Sequence, residues 1–502
     1  MASTAAATPA RVAVVGAGAA GLVCAQVLRA AGMDVVVFER RAASVGGVWV
    51  HENGGAMYRN LRTNLPKEIM SYIGHPYDAA LPSFVGHQDV ARYLQSYSRD
   101  HGLEQHVQYS SDVIAARTVE TEGTGSPLQA RLGQHFLPWA VTVAESVTRA
   151  ERTEQFDALL VCNGHFELPD SPSWPGLAEW PGRVLHAVDY DDPVELAGQS
   201  VLVVGTASSG TDIAWELTSV AKEVVVSQRS LDPEVALSPA EPPAAGRAPL
   251  AVRPAIEAFH PDGSVEFVGG CRVPIDAVVV CTGYVYDVPF VQLPSSVPAV
   301  PTPTAAAAAG SGAAVEATEE GSSLVGGGGR RLSWLWRHFV HAFVPSLCCI
   351  GLPYGIVPCQ LFHCQALWLA ALYTGALQLP SEGSLVADVE QHYESVAEQP
   401  GGWPRHAHRM GNGQWDYNRT LAREALAADP EQQQLFLRWL DANEEMNADL
   451  GRRRPATPGA ADTYRDTEYT VDRQTGEWSC RPWAREEEEE EEEGGAAAAA
   501  RL

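Results

Sequence analysis

The chain has 502 residues, too many for one simple core, and this length indicates roughly two to four domains. Hydrophobic residues make up 45% of the chain, which is enough to build large buried cores. The formal net charge is −27, of which eight charges lie in the run Glu486–Glu493. The remaining −19 argues against nucleic acid or an anionic membrane as a partner.

Three features predict a cytoplasmic protein without a membrane span. No charged segment followed by an apolar stretch precedes the first predicted strand at Val12, so we expect no signal peptide. The longest apolar run, 361–379, contains His363 and Gln365 and favours a buried helix over a membrane span. The nine cysteines include no C-x-x-C pair, and those at 348–364 fit no metal spacing. We therefore expect buried thiols in a reducing compartment and no metal site.

The same β–turn–α–β layout occurs twice along the chain. Its strand, helix and strand are predicted at 12–15, 22–31 and 35–38 in the first copy and at 201–204, 211–220 and 224–226 in the second. Two copies about 190 residues apart predict two dinucleotide sites. The fold class is therefore α/β, with two Rossmann-type domains.

The turn of the first copy reads Gly16-Ala17-Gly18-Ala19-Ala20-Gly21. Gly16 permits a tight turn, Gly18 lets the backbone approach a pyrophosphate, and Gly21 lets the helix pack closely on the strand. Glu39 closes the second strand 18 residues after Gly21, where a carboxylate can bind ribose hydroxyls. This combination predicts an FAD site.

The turn of the second copy, Gly205 to Gly210, has Ala207 in place of the middle glycine. Gln228 stands 18 residues after Gly210, where the first copy has an acid, and Arg229 follows it. A neutral residue removes repulsion toward a 2′-phosphate, which Arg229 can bind through its planar fork. This pattern predicts an NADPH site, with a solvated surface arginine as the alternative reading of Arg229.

The predicted organisation places the NADPH domain inside the FAD domain. The FAD domain comprises 1–195 and 287–452, and the NADPH domain comprises 196–286. Within the second FAD part, the Pro-, Ala- and Gly-rich segment 299–329 reads as a flexible surface insert. The acidic tail, 453–502, reads as mostly disordered, and we expect its removal to leave flavin content and turnover unchanged.

Further stretches match a known family. They are Gly46-Gly47-Val48-Trp49, the run from Tyr58 to Glu68, the spaced residues Trp180, Gly182, His186 and Tyr190, then Cys281-Thr282-Gly283-Tyr284, Gly351-Leu352-Pro353 and Gln365-Ala366-Leu367-Trp368. With both glycine loops, the chain resembles the flavin-containing monooxygenases over about residues 12–380. The resemblance is greatest to the plant-type branch that includes glucosinolate S-oxygenases. Trp180 departs from that family's usual Phe.

This resemblance implies FAD and NADPH as cofactors, and O2 with a small thioether or amine as substrates. Hydride would reduce the flavin, and O2 would add to give a C4a-hydroperoxide, which a soft sulfur or nitrogen attacks without a protein base. The residues implied to contact FAD are Gly46, Gly47, Trp49 and, near the isoalloxazine, Gln365. Those implied to hold NADPH are Gly205, Ser208, Ser209 and Gly210, with Arg229 at its phosphate. Asn64 would lie between the flavin and the nicotinamide.

Several plainer interpretations stay open at this point. Gly46-Gly47 fits an ordinary turn, His186 fits a local structural role, and Gln365 fits a buried, hydrogen-bonded amide. Asn64 fits a cap or turn before Leu65. A Baeyer–Villiger or N-hydroxylating monooxygenase shares both dinucleotide units, and a non-catalytic dinucleotide-binding sensor is favoured if Ala207 cripples the second site.

Overall fold

The computed structural model describes residues 8–52, 54–119, 126–232, 246–300, 323–399, 402–403, 406–454 and 463–483. The α-helices of this described part are α1 (Ala19–Ala30), α2 (His87–Asp100), α3 (Pro127–Leu132), α4 (Ser208–Leu217), α5 (Pro358–Thr374), α6 (Glu382–Ala397), α7 (Gln414–Ala425) and α8 (Pro430–Arg453).

The strands of the described part are β1 (Arg11–Val15), β2 (Asp34–Phe38), β3 (Val107–Gln108), β4 (Ser111–Thr118), β5 (Trp139–Glu145), β6 (Glu151–Phe156), β7 (Ala158–Val161), β8 (Leu168–Pro169), β9 (Arg183–His186), β10 (Ser200–Val204), β11 (Glu223–Ser227), β12 (Leu250–Arg253), β13 (Ile256–Phe259), β14 (Ser264–Phe267), β15 (Cys271–Pro274), β16 (Ala277–Val280), β17 (Tyr284–Val285), β18 (Val291–Gln292), β19 (Val325–Gly326), β20 (Arg331–Leu332), β21 (Leu335–Trp336), β22 (Val340–His341), β23 (Leu347–Cys349), β24 (Thr467–Val471) and β25 (Trp478–Pro482).

Two sheets whose central strands pair in parallel form the framework, as the two β–turn–α–β units predict. The first has the order β21-β22-β23-β7-β1-β2-β3, and the second has the order β12-β11-β10-β16-β9. Strands β1 and β10 lie inside their sheets and are almost wholly buried, which explains their unbroken valine-rich sequences. A four-stranded sheet, β18-β4-β5-β6, and a three-stranded sheet, β13-β14-β15, complete the larger β structure.

The second sheet is inserted into the first, as predicted. Strand β7 pairs in parallel with β23, although the whole second sheet separates them along the chain. The chain leaves through β8 and returns through β17, and these two short strands pair with each other. Strand β9 pairs with β16 inside the second sheet, so the predicted boundary at 196 is too late. The error arises because β9 has only four residues, of which two are exposed. Its hydrophobic pattern is therefore too short to predict a strand.

Helix α5 confirms the prediction of a buried helix in the apolar run. Its hydrophobic residues face both α1 and the first sheet's core, and Trp368 and Tyr373 are almost wholly buried. Among the residues described, no helix is both long and apolar enough to cross a membrane.

The prediction of a mostly disordered tail is wrong for residues 463–483. A short turn, Thr463–Asp466, leads into an antiparallel hairpin of β24 and β25. Tyr469 is 1% exposed and packs with Ile69 and Phe84 in a small separate core. The polar composition hides this hairpin because only one of its faces is buried. The run Glu486–Glu493 lies outside the described residues.

The predicted insert at 299–329 is described only at its two ends. Residues 301–322 lie outside the described part of the chain. Leu324 is 2% exposed and Val325 pairs with Leu332 in a two-stranded ribbon. The end of the segment therefore belongs to the folded domain, because Leu324 supplies apolar surface that the core can bury.

Two truncations test the role of the hairpin. A chain ending after Arg454 loses Tyr469, and a buried aromatic side chain of this kind contributes about 1.5–3 kcal/mol. We expect its free energy of unfolding to fall by at least that amount in chemical denaturation. A chain ending after Trp483 keeps the hairpin and serves as the control. Equal stability of the two truncated proteins would contradict the structural role of the hairpin.

Candidate cofactor and active site

The first glycine loop has the backbone geometry that a dinucleotide requires. Gly16 has φ +103°, and a Cβ there would lie 2.6 Å from the carbonyl oxygen of Cys162. A Cβ at Gly21 would lie 1.9 Å from the carbonyl oxygen of Gly16, so the start of α1 packs directly against the loop. Gly18 caps α1 in an extended conformation and is partly exposed. The N–H groups of the first helical turn, which lack intrahelical partners, are thereby presented to an anion.

The Gly46-Gly47 segment lies against this loop. The Gly46 N–H donates to the Ala17 carbonyl at 3.0 Å, and a Cβ on Gly47 would lie 2.8 Å from the Gly18 Cα. Both glycines have positive φ, +134° and +57°. Trp49 follows on the same short turn, partly buried against the core. The segment is therefore a turn, and it is one that closes over the entrance to α1.

Glu39 is 3% exposed, and its carboxylate binds the backbone of the loop. Its Oε2 accepts from the Ala17 N–H at 2.9 Å, and its Oε1 accepts from the Arg41 N–H at 3.0 Å. A carboxylate has about four lone-pair sites, so these bonds leave capacity for a ribose hydroxyl. Glu39 thus holds the loop in place from the end of β2.

The second loop reproduces the first almost angle for angle. Gly205 has φ +113°, and a Cβ there would lie 2.5 Å from the Cys281 carbonyl oxygen. A Cβ on Gly210 would lie 2.0 Å from the Gly205 carbonyl oxygen. Ala207 has φ −75° and ψ −176°, within a few degrees of its counterpart in the first loop. Alanine adopts this extended conformation without strain, so the missing middle glycine leaves the loop intact.

Three of the residues predicted to hold NADPH, Ser208, Ser209 and Arg229, lie at an open surface. Ala207, Ser208 and Ser209 are exposed at the start of α4. Arg229 is exposed and lies two residues after the end of β11, the strand next to the β10 strand that leads into the loop. This placement suits a nucleotide whose pyrophosphate lies at α4 and whose 2′-phosphate lies beyond the end of β11.

The segment 58–64 connects the two halves of the site. The Asn64 Nδ2 donates to the Ser208 Oγ at 2.7 Å. The Asn60 Nδ2 donates to Glu216 Oε1 at 2.6 Å, further along the same helix. Asn64 is thus in direct contact with the first residue of α4, at the predicted NADPH loop.

The spaced pattern from Trp180 to Tyr190 is structural. A Cβ on Gly182 would lie only 2.1 Å from the Trp180 ring, so this ring position requires a glycine at 182. Burial lowers the pKa of the His186 imidazole, and its Nε2 bonds to the Gly283 carbonyl at 3.1 Å while Nδ1 accepts from the Val188 N–H. Both ring nitrogens of His186 are occupied, which agrees with a local structural role.

Tyr190 continues this pattern onto α4. Its hydroxyl donates to Glu216 Oε2 at 2.7 Å, and its ring packs edge-on against Tyr58. Burial raises the pKa of Glu216, although the bonds from Tyr190 and Asn60 act in the opposite direction. Through Tyr190, the segment from Trp180 to Tyr190 is therefore attached to α4.

Gln365 is buried beside the Gly351 turn. The residue is 0% exposed, its Oε1 accepts from the Gly351 N–H at 3.0 Å, and its Nε2 donates to the Tyr417 hydroxyl at 2.9 Å. Both ends of the amide are hydrogen-bonded, which agrees with the interpretation of Gln365 as a buried, hydrogen-bonded amide that fixes the Gly351 turn. Its place near the isoalloxazine stays a prediction.

Sequence reasoning also missed three residues around α4. Asp212 and Glu216 follow Ser208 at intervals of four, which places all three on one face of the helix. Arg465 binds Asp212 from the tail, with its NH2 2.7 Å from Asp212 Oδ2. The four-residue spacing was visible in the sequence, whereas the origin of the partner arginine was not.

Comparisons with known proteins agree with this geometry. Residues 9–232 match the family described as flavin-binding monooxygenase-like. Flavin-containing monooxygenase FMO GS-OX-like 4 of Arabidopsis thaliana is 31% identical, with 91% of this chain and 93% of that protein covered. FMO GS-OX5 of the same plant is 32% identical over 91% of each chain.

Two solved structures share the fold over most of their length. S-allyl-L-cysteine S-oxygenase from Allium sativum superimposes with a TM-score of 0.73 and 28% identity, covering 91% of this chain and 95% of its own. Tmm from Pelagibacter sp. strain HTCC7211 has a TM-score of 0.69 and 20% identity, covering 94% and 97%.

Fold and site together define a two-dinucleotide flavoprotein oxidoreductase. The chain belongs to the flavin-containing monooxygenase family. It is an FAD- and NADPH-dependent monooxygenase, and the residues of both glycine loops fit these two cofactors.

A glycine pair tests the FAD loop. In Gly47→Ala the new Cβ meets the Gly18 backbone, so we expect purified protein with little flavin. Gly32→Ala introduces an alanine at a similarly positive φ, +85°, but into open space, and should retain full flavin content. The measurement is the flavin-to-protein absorbance ratio of each purified variant, once circular dichroism has shown that the variant is folded. Equal retention in both variants would show that the contact with Gly18 is unimportant.

Arg229→Ala tests coenzyme selection. The lost charge-assisted hydrogen bond should raise the KM for NADPH by about ten- to a hundredfold and leave that for NADH nearly unchanged. Arg272→Ala, which removes an exposed arginine paired with Glu266 in the same domain, is the matched control. Equal losses for NADPH and NADH would assign Arg229 no selective role.

Proposed function

We propose that this monooxygenase oxygenates a soft nucleophilic sulfur or nitrogen atom of a small molecule, a thioether or an amine. The bond from Asn64 Nδ2 to Ser208 Oγ joins the flavin domain to the NADPH loop and supports one site shared by the two cofactors. The similarity to an S-oxygenase over 91% of the chain supports a sulfur substrate. The GS-OX relatives support the same class of enzyme.

The residues of the chain act mainly by binding and orienting. Bound FAD, reduced by hydride from NADPH, supplies the chemistry that activates O2 and transfers one oxygen atom to the substrate. Gly16, Gly18 and Glu39 would hold the FAD pyrophosphate and ribose, and Gly46 to Trp49 would cover that site. Ser208, Ser209 and Arg229 would hold NADPH along the second loop. A soft nucleophile needs no protein base, so no catalytic carboxylate pair is required.

Asn64 is the residue we assign to the junction of the two cofactors. Its amide has both a donor and an acceptor, and the donor already reaches Ser208. The Oδ1 acceptor would therefore be available to bound NADP+ while the side chain stays fixed on Ser208. NADP+ held there would exclude water from the site and limit the release of hydrogen peroxide.

The sensor alternative receives no support from the second loop. Ala207 keeps the conformation of its counterpart, and the loop remains exposed at α4. A substrate screen tests the proposed chemistry directly. The purified enzyme is offered thioethers, amines and ketones with NADPH and O2, and products are read by mass spectrometry. Sulfoxides or N-oxides support the proposal, whereas esters from ketones alone would establish a Baeyer–Villiger enzyme instead.

Asn64→Ala tests the assigned residue. We expect a folded, fully flavinated protein that oxidises NADPH but releases more hydrogen peroxide per oxygenated product, because water reaches the reacting oxygen. Asn60→Ala is the control, since it removes the neighbouring bond from the same segment to Glu216. Coupling is measured as product and peroxide formed per NADPH. Equal uncoupling in both variants would reduce Asn64 to a docking residue.

A further inference from the structure

Arg465 occupies an unusual position between the tail, the flavin domain and α4. Its side chain is 5% exposed. The two terminal nitrogens reach the two carboxylate oxygens of Asp212 at 3.3 and 2.7 Å, and the Nε donates to the Thr63 carbonyl at 2.8 Å. One guanidinium therefore joins the residue before Asn64 to the helix of the NADPH site.

The hairpin that carries Arg465 is anchored on the flavin domain. The Arg473 guanidinium donates to the Tyr72 carbonyl and the Ser71 Oγ at 2.9 and 2.6 Å. The Tyr469 N–H donates to the Ser83 Oγ at 2.7 Å. The hairpin thus moves with the flavin domain, and Arg465 extends from it across the boundary to Asp212.

The geometry suits orientation better than stability. Removing an arginine and an aspartate from water costs much of what their attraction returns, so a buried pair adds little net stability. A planar fork on a carboxylate, in contrast, fixes both distance and angle. Asp212 lies one helical turn after Ser208, so a fixed Asp212 also fixes the start of α4, where the dinucleotide binds.

We propose that Arg465 is a positioning residue for the NADPH site. Through Asp212 and Thr63 it holds the start of α4 in register with the Asn64 segment, so that the nicotinamide end of bound NADP+ lies at Asn64. The proposal rests on the proposed function, because Asn64 is there assigned to the cofactor junction. It gives the C-terminal hairpin a role in coenzyme binding, beyond its packing.

The test uses the flavinated full-length enzyme and three readouts. These are the dissociation constant for NADP+ by titration calorimetry, amide hydrogen exchange of 208–217, and peroxide released per NADPH. Arg465→Ala and Asp212→Asn should each weaken NADP+ binding by about tenfold, the lower end of the cost of a lost charge-assisted hydrogen bond. Exchange in α4 and peroxide release should rise, and flavin content should stay at the wild-type value.

Two controls lie in the same hairpin. Arg481→Ala removes an exposed arginine paired with Glu468 and matches the change in charge. Arg473→Ala weakens the anchoring of the hairpin without touching α4. Arg481→Ala should leave the dissociation constant for NADP+ unchanged. Arg473→Ala, which keeps the second anchor of the hairpin at Ser83, should weaken NADP+ binding much less than Arg465→Ala does. Arg465→Lys keeps the charge but loses the planar fork. Its dissociation constant for NADP+ should lie between those of Arg465→Ala and the wild type.

The outcomes separate this proposal from the proposed function. Unchanged NADP+ binding and exchange in a folded Asp212→Asn enzyme would overturn the positioning role, even if Arg465→Ala does not fold. Equal effects of Arg473→Ala and Arg465→Ala would also overturn it, because the hairpin would then act only by general packing. Weaker NADP+ binding in an enzyme that yields neither sulfoxides nor N-oxides would support the positioning role while refuting the proposed substrates.

Discussion

Hydride transfer between two bound nucleotides requires their reacting atoms to be held about 3–3.5 Å apart, and a misplacement of about 1 Å slows the reaction greatly. In this chain the two nucleotide loops lie on different sheets, and the chain crosses between them at β8 and β17. The side chains of α4 also contact residues outside the second sheet. One face of α4 provides these contacts, through Ser208, Asp212 and Glu216.

The two loops themselves show how strictly backbone geometry limits sequence. The first and last glycines of each loop are compulsory, because a Cβ at any of them would lie 1.9–2.6 Å from a carbonyl oxygen. The middle position is not compulsory for the fold, since Ala207 adopts the same angles as Gly18. A degraded glycine motif can therefore keep its shape when the lost glycine is the one with ordinary backbone angles.

The sequence was sufficient for features that are local or repeated. Both β–turn–α–β units and the buried α5 follow from short-range patterns, and the insertion of one domain in the other follows from the family resemblance. The structure confirms all three. Contacts between distant residues were beyond this reasoning, as for Arg465, which reaches Thr63 and Asp212 across the chain. The hairpin at 463–483 was missed because burial on one face leaves little trace in composition.

The central claim about the enzyme is that NADPH bound at the second loop would transfer its hydride to the FAD bound at the first. The direct test is anaerobic mixing of the yellow enzyme with NADPH while the flavin absorbance is followed. We predict that the flavin bleaches at a rate no slower than turnover, that NADH at the same concentration bleaches it much more slowly, and that O2 restores the colour. A flavin that stays oxidised while NADPH is bound would contradict this claim. The protein would then bind both nucleotides without transferring hydride between them.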